Sequence, residues 1–239
     1  MKLKRLLLLA PMAALLCSCG DIARLISIPD DSEEETSSAA GADSSIAFPD
    51  PAVGKSKLLE LGETEGFEIA FSMTADGESG SAMVGFKNDT IWQITDGEYN
   101  AAYVKTEDGG THVYGVEEGA FVYAGTYDAE TFPFQAMAES VVAIFYSWTT
   151  MSLEIASVTH HQTYLGRDCD YYVADLSAPG GSLEFTLYID TETGITMKIA
   201  ATAESEEGSS SIDFEVLSFR TGNQVTVPDL PAPTPAGEE

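Results

Sequence analysis

From about residue 58 to residue 227 the apolar positions recur with a period of two. Phe67, Ile69, Phe71 and Met73 alternate with Glu68, Ala70, Ser72 and Thr74; Leu183, Phe185, Leu187 and Ile189 alternate with Glu184, Thr186, Tyr188 and Asp190; Ile195, Met197 and Ile199 alternate with Thr196, Lys198 and Ala200. Successive side chains of a strand point to opposite faces, so each segment predicts a half-buried strand. Thr191-Glu192-Thr193-Gly194 joins the last two as a hairpin. Further strands are expected near 79–87, 90–96, 99–106, 110–116, 119–125, 154–165, 168–176 and 211–220. They are punctuated by turn signals such as Asp76-Gly77, Asp96-Gly97, Asp108-Gly109-Gly110 and Pro179-Gly180-Gly181. One segment changes period. Between Phe132 and Met151 the apolar residues Phe134, Met137, Val141, Ile144, Phe145 and Trp148 fall three or four apart, with Val142 and Tyr146 widening the stripe. This predicts one buried helix. The expected fold is mostly β (α+β): about eleven strands in one large curved antiparallel sheet, a half-barrel wrapped on one central helix.

The N-terminus follows other rules. Lys2, Lys4 and Arg5 precede an apolar run from Leu6 to Leu16, the order of an export signal, and the run is shorter than the roughly 20 residues a membrane-spanning helix needs. Leu16-Cys17-Ser18-Cys19-Gly20 then resembles the lipobox of bacterial lipoproteins, with cleavage after Ser18 and lipid on Cys19. Cleavage before Cys17 would set bulky Leu16 beside the cut, so Cys17 is expected to leave with the signal. The domain plan is residues 1–18 as signal peptide, 19–57 as a lipidated Cys and disordered acidic tether, 58–227 as the β domain and 228–239 as a disordered Pro-rich tail. Such a tether would hold the domain on the order of 35 Å from the membrane.

Charge narrows the partners. Formal net charge is -28, and removing Lys2, Lys4 and Arg5 makes it -31. A surface of that sign repels phosphate backbones and anionic headgroups, which excludes nucleic acid and any attachment through a basic patch. The expected partners are the membrane, through the lipid on Cys19, and a hydrophobic ligand; a monomer, without cofactor or metal, is the expectation. With Cys19 lipidated, Cys169 has no cysteine to pair with after processing.

The succession of strands, central helix and second meander ending in Ser211-Ile212-Asp213-Phe214-Glu215-Val216 resembles the lipoprotein-carrier superfamily, the LolA/LolB-like half-barrels. Tyr164-Leu165-Gly166-Arg167-Asp168-Cys169-Asp170-Tyr171-Tyr172, then Asp190 and Gly194-Ile195-Thr196-Met197-Lys198, is similar to a pattern of secreted members, departing at Thr196 where they often carry proline. What the resemblance implies is a cavity between sheet and helix that shelters an acyl chain, lined by Phe71, Met73, Met83, Trp92, Phe145, Trp148, Phe185 and Met197. The competing reading is an envelope interaction module in which the same residues fill a dry core; a hydrolase ranks third.

Other chemistry is weakly signalled. His160 and His161 are adjacent, so on a regular strand they would face opposite ways and could not share a metal. Cys169 fits a small buried hydrophobe better than a nucleophile. Asp190-Thr191-Glu192-Thr193-Gly194 lacks the frame of a calcium loop and fits a turn.

Overall fold

The computed structural model describes residues 48–146, 155–178, 181–205 and 208–233. The signal and lipobox with Cys17 and Cys19, the tether up to residue 47, Trp148, the Pro179-Gly180 turn and the chain after residue 233 lie outside the described residues. Chain order is α1 (Pro51–Thr64), β1 (Phe67–Ala75), β2 (Glu78–Lys87), β3 (Thr90–Thr95), β4 (Glu98–Lys105), β5 (Thr111–Glu117), β6 (Ala120–Tyr127), α2 (Phe134–Ala143), β7 (Ser157–Tyr164), β8 (Arg167–Ala178), β9 (Gly181–Asp190), β10 (Thr196–Ser205) and β11 (Gly208–Thr221), followed by a 3-10 turn at Gly222–Gln224. All eleven expected strands form. They pair antiparallel in one sheet of order β6-β5-β4-β3-β2-β1-β11-β10-β9-β8-β7. This is the single antiparallel sheet of eleven strands, crossed by a helix, that the sequence predicts.

The order explains the central helix. β6 and β7 are consecutive in the chain yet occupy opposite edges of the sheet, so the connection between them must cross a face. α2 makes that crossing. Its Phe134 meets Phe86 at 5.9 Å and Phe145, just beyond its end, meets Phe71 edge-on at 5.6 Å. The register identifies the rest of the helix-covered face: Phe71 stands opposite Ala82 and Val216, Ile69 opposite Val84, and Ile199 opposite Leu187 and Phe214. Phe67, Ile69, Ile91, Leu187, Ile199 and Val216 are each fully buried there. Aspartate-glycine turns set the hairpins: Asp76 and Gly77 (φ 50° and 88°) and Asp96 and Gly97 (φ 50° and 82°) form two-residue loops whose twist matches the strands.

The sequence places the tether's end at residue 57, whereas α1 already begins at Pro51. Asp50 caps it, accepting the Ala52 amide at 2.8 Å, and Pro51 supplies a preset φ at the first position. Its buried residues are Gly54, Leu58 and Gly62, four apart. A Cβ on Gly62 would lie 2.2 Å from Cδ1 of Phe86 and one on Gly54 would lie 2.5 Å from Cε1 of Tyr146, so the glycines set how closely α1 sits on the core.

The second departure is at the other end. Val225, Val227 and Leu230 pack on Trp92, Ala102 and Tyr114, on the face opposite α2. The ordered chain therefore runs past the expected boundary at residue 228. Both edge strands are irregular: β6 has one residue more than β5 between the pairs Val113–Gly125 and Tyr114–Tyr123, and β7 slips register between Thr159 and Gln162.

Gly62→Ala must push Phe86 or the helix aside and should lower the unfolding free energy by about 1–3 kcal/mol in urea titrations. Gly115→Ala, whose new methyl meets nothing within 4 Å, should leave it nearly unchanged.

Candidate functional site

Two neighbouring features on the helix-covered side stand out: an apolar floor, and a polar knot at one end of it. The floor is built by alternation on β1, β2 and β9–β11. Phe71, Phe145, Phe185 and Phe214 are buried in it, and Phe71 touches both Phe145 at 5.6 Å and Phe214 at 5.4 Å. Burial is not uniform along the strands. At the end nearer α1, Ile69, Ile91, Leu187 and Ile195 are wholly covered; toward the β1–β2 and β10–β11 turns, Ala82, Leu183, Ala201 and Ile212 are 8–9% exposed and Met73 is half-buried. Small side chains at Ala82 and Ala201 lower the floor just where cover thins.

Four of the eight expected lining residues, Phe71, Met73, Phe145 and Phe185, belong to this side; Met197 is wholly buried at an irregularity of β10, and Trp148 lies outside the described residues. Met83 and Trp92 do not belong to this side. Met83 is opposite Ala70, and Trp92 is opposite Gly85, whose missing Cβ makes room for the indole, so both sit on the reverse face. The reason is parity: β2 and β3 are apolar at adjacent positions (Ala82-Met83-Val84 and Ile91-Trp92), and period two alone does not say which member faces the helix.

The polar knot is the β9–β10 turn. Asp190 is 1% exposed. Its Oδ1 accepts Arg167 Nε at 2.6 Å; its Oδ2 accepts Arg167 Nη2 at 3.0 Å, the Thr193 amide at 2.8 Å and the Thr193 hydroxyl at 2.6 Å. Arg167 also reaches Glu192 at 2.8 Å and lies over the Phe219 ring, 4.4 Å from its centre. A bidentate pair with two further donors on the same carboxylate is an arrangement in which a buried charge is tolerated. The knot is reached from both helices: the Tyr146 hydroxyl, just past α2, donates to the Thr193 carbonyl at 2.9 Å and Lys57 from the middle of α1 donates to the Glu192 carbonyl at 3.0 Å. Burial, then the Asp190 charge, raises the Tyr146 pKa far above an ordinary tyrosine's, so it stays a donor. With its oxygens already engaged, Asp190 is a structural carboxylate and the loop is a turn, as its sequence suggests.

Cys169, opposite Asp190 on β8, is fully buried, and burial with the Asp190 charge pushes its thiol up to about 12. A thiol so held is not a nucleophile at neutral pH. The histidines correct an expectation. His161 takes φ 60° at the β7 irregularity, which breaks alternation, and both rings reach the neighbouring strand: His160 Nδ1 lies 2.8 Å from Asp170 and His161 Nδ1 lies 2.9 Å from Asp168. Its hydrogen bond to Asp168 raises the His161 pKa. No group of three or more His, Cys, Asp or Glu able to hold a metal ion occurs among the described residues.

On the reverse face, Tyr164, Tyr171 and Tyr188 stack at 4.7–5.5 Å, and the Tyr164 hydroxyl donates to Glu215 at 2.6 Å, holding that carboxyl below its usual range together with Lys198 at 3.3 Å.

Asp190→Ala leaves the two Thr193 donors without a partner and Arg167 with Glu192 alone, and should cost about 3 kcal/mol or more in urea unfolding. Arg167→Met leaves that carboxylate buried without its cation and should cost a comparable amount; a clearly smaller loss would show that the turn, and not the ion pair, carries the effect.

No family model and no curated protein matches the sequence. Solved structures resemble the chain at low identity. MucB of Pseudomonas aeruginosa, solved as a MucA/MucB complex, is 18% identical, with 75% of this chain and 57% of that one covered and a TM-score of 0.34. A putative outer membrane lipoprotein-sorting protein domain from Vibrio parahaemolyticus is 6% identical, with 73% and 93% covered and a TM-score of 0.25. A LolA superfamily protein from Nitrosomonas europaea is 10% identical, with 74% and 93% covered and a TM-score of 0.21. The chain spans between half and two thirds of the length of the MucB structures it resembles.

Proposed function

We propose that this chain is a lipid-anchored, extracytoplasmic binding protein whose ligand is an acyl chain or a similarly apolar molecule held between the sheet and α2. The observation that supports it most is the gradient along the floor. A core serving only stability gains from being covered along its whole length, whereas here an apolar surface passes from wholly buried Ile69 and Leu187 to Ala82, Ala201, Leu183 and Ile212, which keep 8–9% exposure. Apolar and bordered by an adaptable, half-buried Met73, that end has the chemistry of a hydrophobic ligand site. No described helix is long and apolar enough to cross a membrane, and the lipid on Cys19 supplies the attachment in this reading.

A second reading has its own support. Phe145, Phe185 and Met197 are at most 2% exposed, which is the density of a packed interior. On that reading the floor is a dry core, and the chain is an interaction or sensing module of the envelope that works through its surface.

The Cys19→Ala chain, made without lipid, should take up a fluorescent fatty acid and carry extractable lipid in native mass spectra. Ala201→Phe should abolish both while the far-ultraviolet circular dichroism is retained. An unaltered chain that is empty and refuses the probe rules out the binder and leaves the interaction module. Attachment is tested separately: an alkyne-palmitate label fed to the producing bacterium should appear on the chain and vanish in Cys19→Ala but persist in Cys17→Ala.

A further inference from the structure

The face opposite α2 carries its own apolar cluster. Trp92 sits over Gly85 at 1% exposure, with Ala102 and Tyr114 buried beside it and Val104, Phe121 and Tyr123 half-buried around them. What covers it is not a strand or a helix but the chain after the 3-10 turn. Val225 is buried on the cluster at 3% exposure, and Val227 and Leu230 are half-buried against it. Regular structure ends at Gln224, and Pro228, Pro231 and Pro233 cannot donate to a ladder. Two hydrogen bonds from Lys87 Nζ hold its start, to the Gly222 carbonyl at 2.7 Å and the Val225 carbonyl at 3.0 Å. Gly222, at φ 62°, lets the chain turn off β11 onto the face.

These are the parts of a peptide complex: an aromatic surface, a proline-containing segment that lays Val225, Val227 and Leu230 on it, and one cation gripping backbone carbonyls. We infer that this surface is a binding site for Val/Leu–Pro segments, occupied in this chain by its own residues 225–230, and that this strap detaches to admit a segment of the same chemistry from another polypeptide. Two features argue that the contact is separable from the fold. The strap adds no strand to the sheet, so its release leaves the ladder intact, and contacts of that kind open at a lower free energy than the core. The aromatic surface also continues past the strap: Tyr99, stacked on Phe121 at 4.7 Å, remains 39% exposed. A tethered ligand has the advantage of high effective concentration, so a competitor succeeds only when the strap is weakened or pulled away.

The test uses the full chain and a dye-labelled peptide of residues 222–234 added in trans. The unaltered chain should bind it weakly. The Val227→Asp/Leu230→Asp chain, whose own strap no longer fits, should bind it at least ten times more tightly and show Trp92 emission, read in a Trp148→Phe background, that is red-shifted and returns on peptide addition. A peptide carrying the same two aspartates should not bind. Hydrogen exchange on the unaltered chain gives an answer that needs no variant: amides of residues 225–230 should exchange well before those of β2 and β3. A doubly substituted chain that stays folded but ignores the peptide overturns the inference, and so does a strap that exchanges only when the sheet does, even if the variant fails to fold.

Discussion

A single buried carboxylate holds the two halves of the helix-covered side in register. Asp190 ends β9, and through Arg167 and Thr193 it fixes a turn whose backbone carbonyls then receive Tyr146 from the end of α2 and Lys57 from α1. The arrangement is forced by topology. A connection that must cross the sheet from edge β6 to edge β7 needs a fixed point on the way. A hydrophobic contact would give affinity without position. The turn gives position, because each of its partners is bonded to one particular oxygen.

Around that point the sheet is used on both sides. One face carries the helices and a floor whose cover thins toward Ala82 and Ala201; the other carries two unlike regions, the Trp92 cluster beneath the chain's own end and the tyrosine stack with Lys198 and Glu215. An antiparallel sheet often leaves one face to water. Here apolar residues at neighbouring positions of β2 and β3 make both faces of the β1–β6 half need burial. That is the reason for the strap.

What the sequence revealed follows the strength of its periodic signals. Phe67, Ile69 and Phe71 and the Asp-Gly turns fix strands and hairpins because alternation and positive φ are local demands that those residues meet by themselves. The α2 stripe was equally plain. α1 leaves little trace because two of its three inward residues, Gly54 and Gly62, contribute closeness and not hydrophobicity; Asp50-Pro51 is the signal that marks its start. The faces of Met83 and Trp92 were not legible, since adjacent apolar residues leave parity undecided. Nor was the burial of Asp190: an aspartate at the end of a strand reads as a solvated turn residue unless Arg167, 23 positions away, is known to be its neighbour. The slip at His160-His161 was invisible for a similar reason, as a bulge leaves no periodic trace of its own. From residue 228 on, the prolines predict disorder by composition, yet proline equally suits a segment lying on aromatic rings, as Leu230 does here.

The irregular edge strands have a consequence for how copies of the chain meet. An open sheet leaves β6 and β7 as edges, each a template on which a neighbouring copy could pair. An extra residue in β6 and the turn-like φ of His161 in β7 interrupt the straight row of amides that a neighbour's edge would need for pairing. The two kinks thus act as fenders, letting such open sheets stand side by side without zipping into one.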